Sequence, residues 1–220
     1  HWNKTSPTLH ILPHWTWPDR VGEVTPIFVY TSYPEAELFI NGKSQGRQRK
    51  DRSVTIDATE NEESFKNFTR QKRYRLMWMD TKYEPGEVKV VAYNDAGEVA
   101  EEKVIRTAGK PHHLELVADR TTLTADGRDI AFVTVRVVDK EGNLIPDDAR
   151  LLTFRVTGAA TFRAAASGNP ASLDAFHLPR HHAFSGQLVT LVQSSEQSGE
   201  AVLHVSAKGL PTATLRLQIK

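Results

Sequence analysis

The chain has 220 residues, with 28 basic and 27 acidic side chains and a net charge of +1 at neutral pH. This length suits two domains of ordinary size, and the near-neutral balance gives no electrostatic reason to expect nucleic acid or an anionic membrane as a partner. Cysteine is absent, which excludes disulfides, thiolate metal sites and a cysteine nucleophile. No apolar run is long enough to span a membrane.

Short alternating runs, rich in β-branched and aromatic residues, predict β-strands along the whole chain. In chain order the predicted strands contain residues 27–30, 37–40, 88–93, 132–138, 152–156, 201–205 and 213–217. Turn residues separate these runs: Asn41-Gly42 predicts a two-residue hairpin, and the segments 95–97 and 141–143 predict two further turns. The pattern predicts an all-β protein made of two tandem Ig-like or fibronectin-like β-sandwich domains.

The domain boundary is predicted in the Gly- and Pro-containing segment 107–111, which gives domains of residues 1–108 and 109–220. Two long segments interrupt the strand pattern. The strongly polar segment 57–72 is predicted to be an exposed loop with room for a helical turn, and segment 163–183 is predicted to be irregular. Loops of that length in a sandwich carry function or bind a neighbour. The chain begins without Met and without the features of a signal peptide, so we expect a piece of a longer protein.

No arrangement in the sequence predicts a catalytic centre. Asn61-Glu62 lies in an acidic, turn-like run with no buried strand beside it to raise the pKa of the glutamate, and a solvated loop is expected there. There is no Gly-x-Ser-x-Gly nucleophile motif and no Gly-rich phosphate loop before a helix. We therefore predict no catalytic residue and no cofactor.

The histidines offer the best residues for a metal site, yet their spacing does not favour one. His177, His181 and His182 lie in one irregular segment, where packing and surface exposure are the expected roles. His112 and His113 open a predicted strand, so their side chains are expected to point to opposite faces and not to bind a metal together. No metal site is predicted.

Aromatic side chains near the start form the most notable cluster. His14, Trp15 and Trp17 lie within four residues, and Trp2 lies upstream. Tryptophan faces flanked by polar groups can stack on sugar rings, but tryptophan also fills cores and interfaces, where it buries a large area. We favour the core or a junction with a neighbouring domain over direct sugar contact. Trp78 alternates with Leu76 and is predicted to be core.

Two stretches resemble a known family. Residues 9–46 contain His14-Trp15-Thr16-Trp17 and the hairpin Glu37-Leu38-Phe39-Ile40-Asn41-Gly42-Lys43-Ser44-Gln45-Gly46. This run resembles the domain that follows the catalytic barrel in bacterial β-galactosidases of glycoside hydrolase family 2. Residues 123–186 resemble the family's last module, which is similar to bacterial Ig-like adhesion domains. The family more often has Gly-Asn-Gly-Asp-Pro where this chain has Ala166-Ser167-Gly168-Asn169-Pro170, so the aspartate of that loop is missing here.

The resemblance implies a non-catalytic C-terminal fragment, because the family's catalytic glutamates lie on a barrel of about 200–250 residues of its own. The implied partner is that missing barrel, with carbohydrate as a further ligand class and a homodimer of the parent left open. It also implies a parent that hydrolyses terminal β-galactosides in the periplasm or outside the cell. The residues expected to contact the barrel or a carbohydrate are His14, Trp15, Trp17, Asn169 and Arg180. The alternatives are a carbohydrate-binding module and an Ig-like adhesion tandem.

Overall fold

Short strands with alternating burial build two units, His1–Thr107 and Ala108–Lys220. The computed structural model describes residues 5–53 and 69–220, with residues 69 and 70 described by their backbone alone. Within these ranges the chain forms β-strands, one short α-helix and one 3-10 helix, and the all-β prediction is confirmed. No helix in the described ranges is long and apolar enough to cross a membrane.

The first unit is a sandwich of two antiparallel sheets. One sheet has the order β1-β2-β5, with β1 Leu9–Leu12, β2 Ile27–Thr31 and β5 Arg75–Trp78. The other has the order β4-β3-β6-β7, with β3 Glu35–Ile40, β4 Lys43–Arg49, β6 Glu87–Tyr93 and β7 Val99–Arg106. A 3-10 helix at Pro18–Arg20 follows β1, and helix α1, Thr69–Tyr74, precedes β5.

Every second side chain of β2 and β3 is buried, as the period of a strand requires when one face meets the opposite sheet. The inner faces of both sheets supply the apolar core of this unit: Leu9, Ile11, Ile27, Val29, Leu76 and Trp78 from one sheet, and Ala36, Leu38, Ile40, Val88, Val90 and Ala92 from the other. Trp78 is buried, so its predicted core role is confirmed.

The second unit is a larger sandwich. Its first sheet has the order β12-β14-β10-β8, and its second has the order β13-β11-β15-β16-β9, in which only β16 and β9 pair in parallel among the described strands. The strands are β8 His113–Ala118, β9 Thr122–Leu123, β10 Ile130–Val138, β11 Leu151–Gly158, β12 Ala160–Ala166, β13 Arg180–His182, β14 Gln187–Ser194, β15 Gly199–Ala207 and β16 Ala213–Ile219. Its core lies between the two sheets and includes Val133, Val135, Leu152, Leu203 and Val205.

The β3–β4 hairpin turns at Asn41 and Gly42, as predicted, with φ angles of 47° and 78°. The Asn41 side chain also links this turn to the start of β6. Its Oδ1 accepts a hydrogen bond from the Glu87 N–H at 2.8 Å, and its Nδ2 donates to the Pro85 carbonyl at 3.2 Å. A Cβ at Gly86 would lie 2.0 Å from Asn41 Oδ1, so glycine at that position makes room for the link.

Asn41→Ala is expected to lower the free energy of unfolding of the first unit by about 1–2 kcal/mol, because it removes both hydrogen bonds and places alanine at a positive φ. Asn41→Gly keeps the turn conformation and should lose less. Urea unfolding followed by tryptophan fluorescence checks this, since all four Trp residues of the chain lie in the first unit. Equal stability of wild type and both variants would contradict the linking role.

Two long segments differ from their prediction or lie partly outside the described residues. Segment 163–183 was expected to be irregular throughout, but β12 continues to Ala166 and β13 covers residues 180–182, so the loop proper is 167–179. The prediction was wrong at both ends because alanine and histidine have weak strand preferences, and pairing with β14 and β11 decides their conformation. Of segment 57–72, residues 69–72 belong to α1, and the rest, including Asn61-Glu62, lies outside the described residues.

Candidate functional site

Trp15 is a core residue of the first unit. Its side chain is 1% exposed, its ring meets Tyr83 edge-to-face at 5.0 Å, and its Nε1 donates to the Glu84 carbonyl at 2.8 Å. The Trp15 carbonyl accepts from the Thr107 hydroxyl at 2.6 Å. A ring surrounded in this way has no face left for a sugar or a neighbouring domain, so the contact role that Trp15 shared with its neighbours is corrected to a core role.

Trp17 and His14 remain accessible. Their rings stack at 4.0 Å, and Trp17 Nε1 donates to the His14 carbonyl at 2.9 Å. The Arg20 guanidinium lies 5.7 Å from the Trp17 ring centroid. His14 is exposed and Trp17 is half-buried, so this group offers one accessible indole and not the tryptophan pair of a sugar platform. Their predicted contact with a barrel or a carbohydrate stays a prediction.

The loop of residues 167–179 connects β12 to β13 and is closely hydrogen-bonded. Asn169 forms its first turn: its Oδ1 accepts from the Ala171 N–H at 3.0 Å, and its carbonyl accepts from the Ser172 N–H at 3.2 Å. The Ala165 N–H donates to the Phe176 carbonyl at 2.9 Å, which ties the middle of the loop to β12. Asn169 therefore has a structural role in the turn.

Asp174 fixes the second half of this loop to β13. Its Oδ2 accepts from the His182 backbone N–H at 2.8 Å and lies 2.9 Å from His182 Nδ1. These hydrogen bonds, the backbone one first, hold the pKa of the Asp174 carboxyl below its usual range. A carboxylate held ionised in this way suits a structural anchor and cannot serve as a proton donor near neutral pH.

His181 lies beneath the loop and is fully buried. Its Nδ1 lies 2.9 Å from the His182 carbonyl, which can only accept, so Nδ1 carries the proton. Its Nε2 has no hydrogen-bond partner among the described residues. The Phe176 ring stacks over the imidazole at 6.2 Å with an interplanar angle of 8°. One face of the Phe176 ring thus covers His181, and 61% of the side chain remains exposed.

The histidines do not converge on a metal site. No group of three or more His, Asp or Glu residues among the described ranges could hold a metal ion. The rings of His112 and His113 meet, with their Nδ1 atoms 3.1 Å apart, although opposite faces were predicted. That prediction was wrong because β8 begins at His113, and the alternation of a strand does not apply to His112 before it.

A pocket of about 680 Å³ lies between this loop and the outer face of the first sheet of the second unit. Ile130, Ala164 and Leu191 form its floor, and Arg163 and the loop residues 172–177 form its walls. The bulge in β12 between Phe162 and Ala164 is at Arg163, which directs this residue out of the regular pairing. Of the residues that line the pocket, Asp174 alone carries a carboxylate.

Two features of this surface were missed in the sequence. Leu173 is 100% exposed in the loop, where Phe176 is also exposed, and Phe132 is 48% exposed on β10. The signal for Phe132 was available, because its neighbours Ala131 and Val133 are core and alternation sends it outward. Arg180, a predicted contact residue, is exposed on β13, and its guanidinium has no partner among the described residues.

Comparisons with known families and proteins show what the two units are similar to. Residues 114–216 match the family described as glycoside hydrolase family 2 C-terminal domain 5, and residues 22–100 match a family described as a domain of unknown function. Beta-galactosidase BoGH2A from Bacteroides ovatus is 39% identical over 95% of this chain, which corresponds to 22% of that protein. A putative beta-glucuronidase from Formosa agariphila is 28% identical over 74% of this chain and 14% of its own length.

The solved structure of a beta-glycosidase from Bacteroides vulgatus superposes with a TM-score of 0.82 at 26% identity, over 96% of this chain and 24% of that one. The chain spans about a fifth of the length of most of the curated relatives it matches. Its two sandwiches therefore correspond to the C-terminal portion of glycoside hydrolase family 2 proteins. The chain belongs to glycoside hydrolase family 2, as a C-terminal portion of such a protein, and the resemblance found in the sequence is confirmed.

Proposed function

We propose that this chain is the non-catalytic C-terminal part of an enzyme that hydrolyses terminal β-galactosides. Its role there is to support the catalytic barrel structurally and to shape the rim of the active site. The relative at 39% identity is named a beta-galactosidase, whereas the relatives named beta-glucuronidases are 28% and 26% identical. This difference favours the β-galactoside as the substrate of the whole protein.

The observation that carries the non-catalytic role is the chemistry of the pocket in the second unit. A glycosidase needs two carboxyl groups that face each other across the scissile bond, one of them able to donate a proton. This pocket has a single carboxylate, Asp174, which hydrogen bonds from His182 keep ionised. The pocket has room for side chains of a partner, but it lacks the acid and the nucleophile for hydrolysis.

The experiment compares three proteins: the full-length polypeptide, the same polypeptide lacking residues 1–220, and these 220 residues alone. We expect the 220 residues alone to give no hydrolysis of a chromogenic β-galactoside. The shortened polypeptide should lose activity and unfold several degrees lower than the full-length protein, because a packed interface is removed. A shortened polypeptide with unchanged activity and melting temperature would contradict the supporting role.

The same 220 residues test the carbohydrate-binding alternative. We expect titration with galactose, lactose and a small glycan panel to leave tryptophan fluorescence unchanged, since Trp15 is buried and cannot form a platform with Trp17. A saturable signal that Trp17→Ala abolishes without unfolding would replace the proposal with a carbohydrate-binding module.

A further inference from the structure

An apolar strip crosses the outer face of the first sheet of the second unit. Phe132, Leu191 and Ala164 are Cα partners on the adjacent strands β10, β14 and β12, and all three point away from the core. Leu173 and Phe176 extend this row beyond β12 and enclose the pocket of about 680 Å³. We call these five residues the outer strip.

The outer strip is unusual for a solvated sheet face. The open side of an antiparallel sheet normally carries polar side chains. Here Leu173 is 100% exposed, Phe176 61% and Phe132 48%. Burial of such side chains is favourable, so leaving them in water forgoes that stabilisation. Clustered exposed apolar residues of this kind mark interaction surfaces, whereas single ones do not.

The loop holds the outer strip in place. Asp174 fixes the loop to β13, and the Ala165 N–H and the Phe154 N–H bind the carbonyls of Phe176 and Pro179 at 2.9 Å each. In the loop fixed by these contacts, Leu173 is fully exposed to solvent. The loop is therefore already ordered before a partner binds, which avoids the entropic cost of ordering it on binding.

The charged side chains at the pocket indicate the chemistry of the partner. Arg163 lines the pocket and is exposed, and its guanidinium forms no ion pair with the described residues. A complementary surface would insert apolar side chains between the loop and the sheet and offer a carboxylate to Arg163. A strip of five residues is small for two separate molecules, since a stable complex uses about 20–30 residues on each side. A partner on the same polypeptide needs a smaller contact area, because covalent linkage raises its effective concentration.

We propose that the outer strip is the surface by which the second unit packs against the catalytic part of the same polypeptide. This inference rests on the proposed function, in which these 220 residues support that part. The family 2 relatives are long enough to contain a catalytic part besides these two units. This chain corresponds to 22% of the beta-galactosidase from Bacteroides ovatus, and most of that protein lies outside the match.

Leu173→Asp tests the proposal in two contexts. In the 220 residues alone, the variant should unfold at the wild-type midpoint, because Leu173 is fully exposed there. In the full-length polypeptide, it should lower the melting temperature of the catalytic part by several degrees. It should also raise the hydrogen-exchange rates of the amides of residues 167–179 at least tenfold. Leu173→Met keeps the apolar volume and should behave as wild type in both contexts.

Three outcomes would overturn the proposal. The first is that Leu173→Asp leaves the full-length polypeptide unchanged and residues 167–179 exchange at the same rates in both contexts. The second is that the 220 residues alone self-associate and Leu173→Asp prevents it, which would assign the strip to a second copy. The third is saturable glycan binding that Phe176→Ala abolishes. If removal of residues 1–220 destabilises the polypeptide and Leu173→Asp does not, the supporting function stands and the assignment of this surface fails.

Discussion

Trp15→Ala is expected to lower the free energy of unfolding of the first unit by about 3–5 kcal/mol, the usual cost of truncating a fully buried tryptophan. The substitution leaves a cavity against Tyr83 and removes the hydrogen bond that Trp15 Nε1 donates to the Glu84 carbonyl. Urea unfolding followed by the fluorescence of the remaining Trp residues measures the change. All Tyr and Trp residues lie in the first unit, so this signal reports that unit alone.

Trp17→Ala is the matched control. Trp17 is two residues away and half-buried, and its truncation should cost about 1 kcal/mol or less. The two variants distinguish a core role of Trp15 from a contact role shared by Trp15 and Trp17. If both residues only contacted a partner, neither substitution would lower the stability of this chain by itself. Equal and small losses for both variants would show that Trp15 is not a core residue.

Asp139→Asn is expected to destabilise the second unit by about 3 kcal/mol, because the amide NH2 replaces one carboxylate oxygen and cannot accept from the two N–H donors that this oxygen binds. Asp139 is 1% exposed. Its Oδ1 accepts from the N–H groups of Glu141 and Asn143 at 3.0 and 2.8 Å. Its Oδ2 accepts from the Gly109 N–H at 2.8 Å and from Asn143 Nδ2 at 3.0 Å. Asp147→Asn, on an exposed carboxylate, is the control and should change stability by less than about 0.5 kcal/mol.

The contribution of Asp139 should depend on pH with a definite sign. Burial by itself would raise the pKa of this carboxyl, but the hydrogen bonds from Gly109, Asn143 and Glu141 outweigh it and hold the pKa below its ordinary value of 3.8. The ionised form is thus favoured in the folded state, so its stabilisation is complete above about pH 4 and is lost as the pH falls through the folded pKa.

Circular dichroism measures both effects of Asp139, since the second unit has no Trp or Tyr to follow. The gap in unfolding midpoint between wild type and Asp139→Asn should be constant near neutral pH and should narrow in acid below pH 4. A gap that widens in acid would contradict the assigned hydrogen bonds.

Where a strand alternates strongly, its place in the fold could be predicted from the sequence. The segments around Val29, Leu38 and Val133 each carry apolar residues at every second position, and all three are strands with one buried face. The Asn41-Gly42 turn was predictable for a similarly local reason, because both residues tolerate the positive φ that a tight hairpin needs.

Other elements depend on pairing between distant segments. The alanines of β12 carry little strand preference of their own, and β14 fixes their conformation through the ladder between them. His181 and His182 are neighbours in one short strand, yet the first is fully buried and the second exposed. The register with β11 decides which of the two faces the core.

The sequence by itself determined the all-β class and the Asn41-Gly42 hairpin turn, because each depends on residue types at short, fixed spacing, and its resemblance to glycoside hydrolase family 2 is carried by residues 9–46 and 123–186. Only the tertiary structure decided that Trp15 is core while Trp17 is accessible, that Asp174 is held ionised by His182, and that Phe132, Leu191 and Leu173 form one surface. The first depends on the packing of Trp15 against Tyr83 and Glu84, far away in the chain, the second on the return of the loop to β13, and the third on the pairing of β10 with β14 and the position of the loop. No local pattern encodes these contacts.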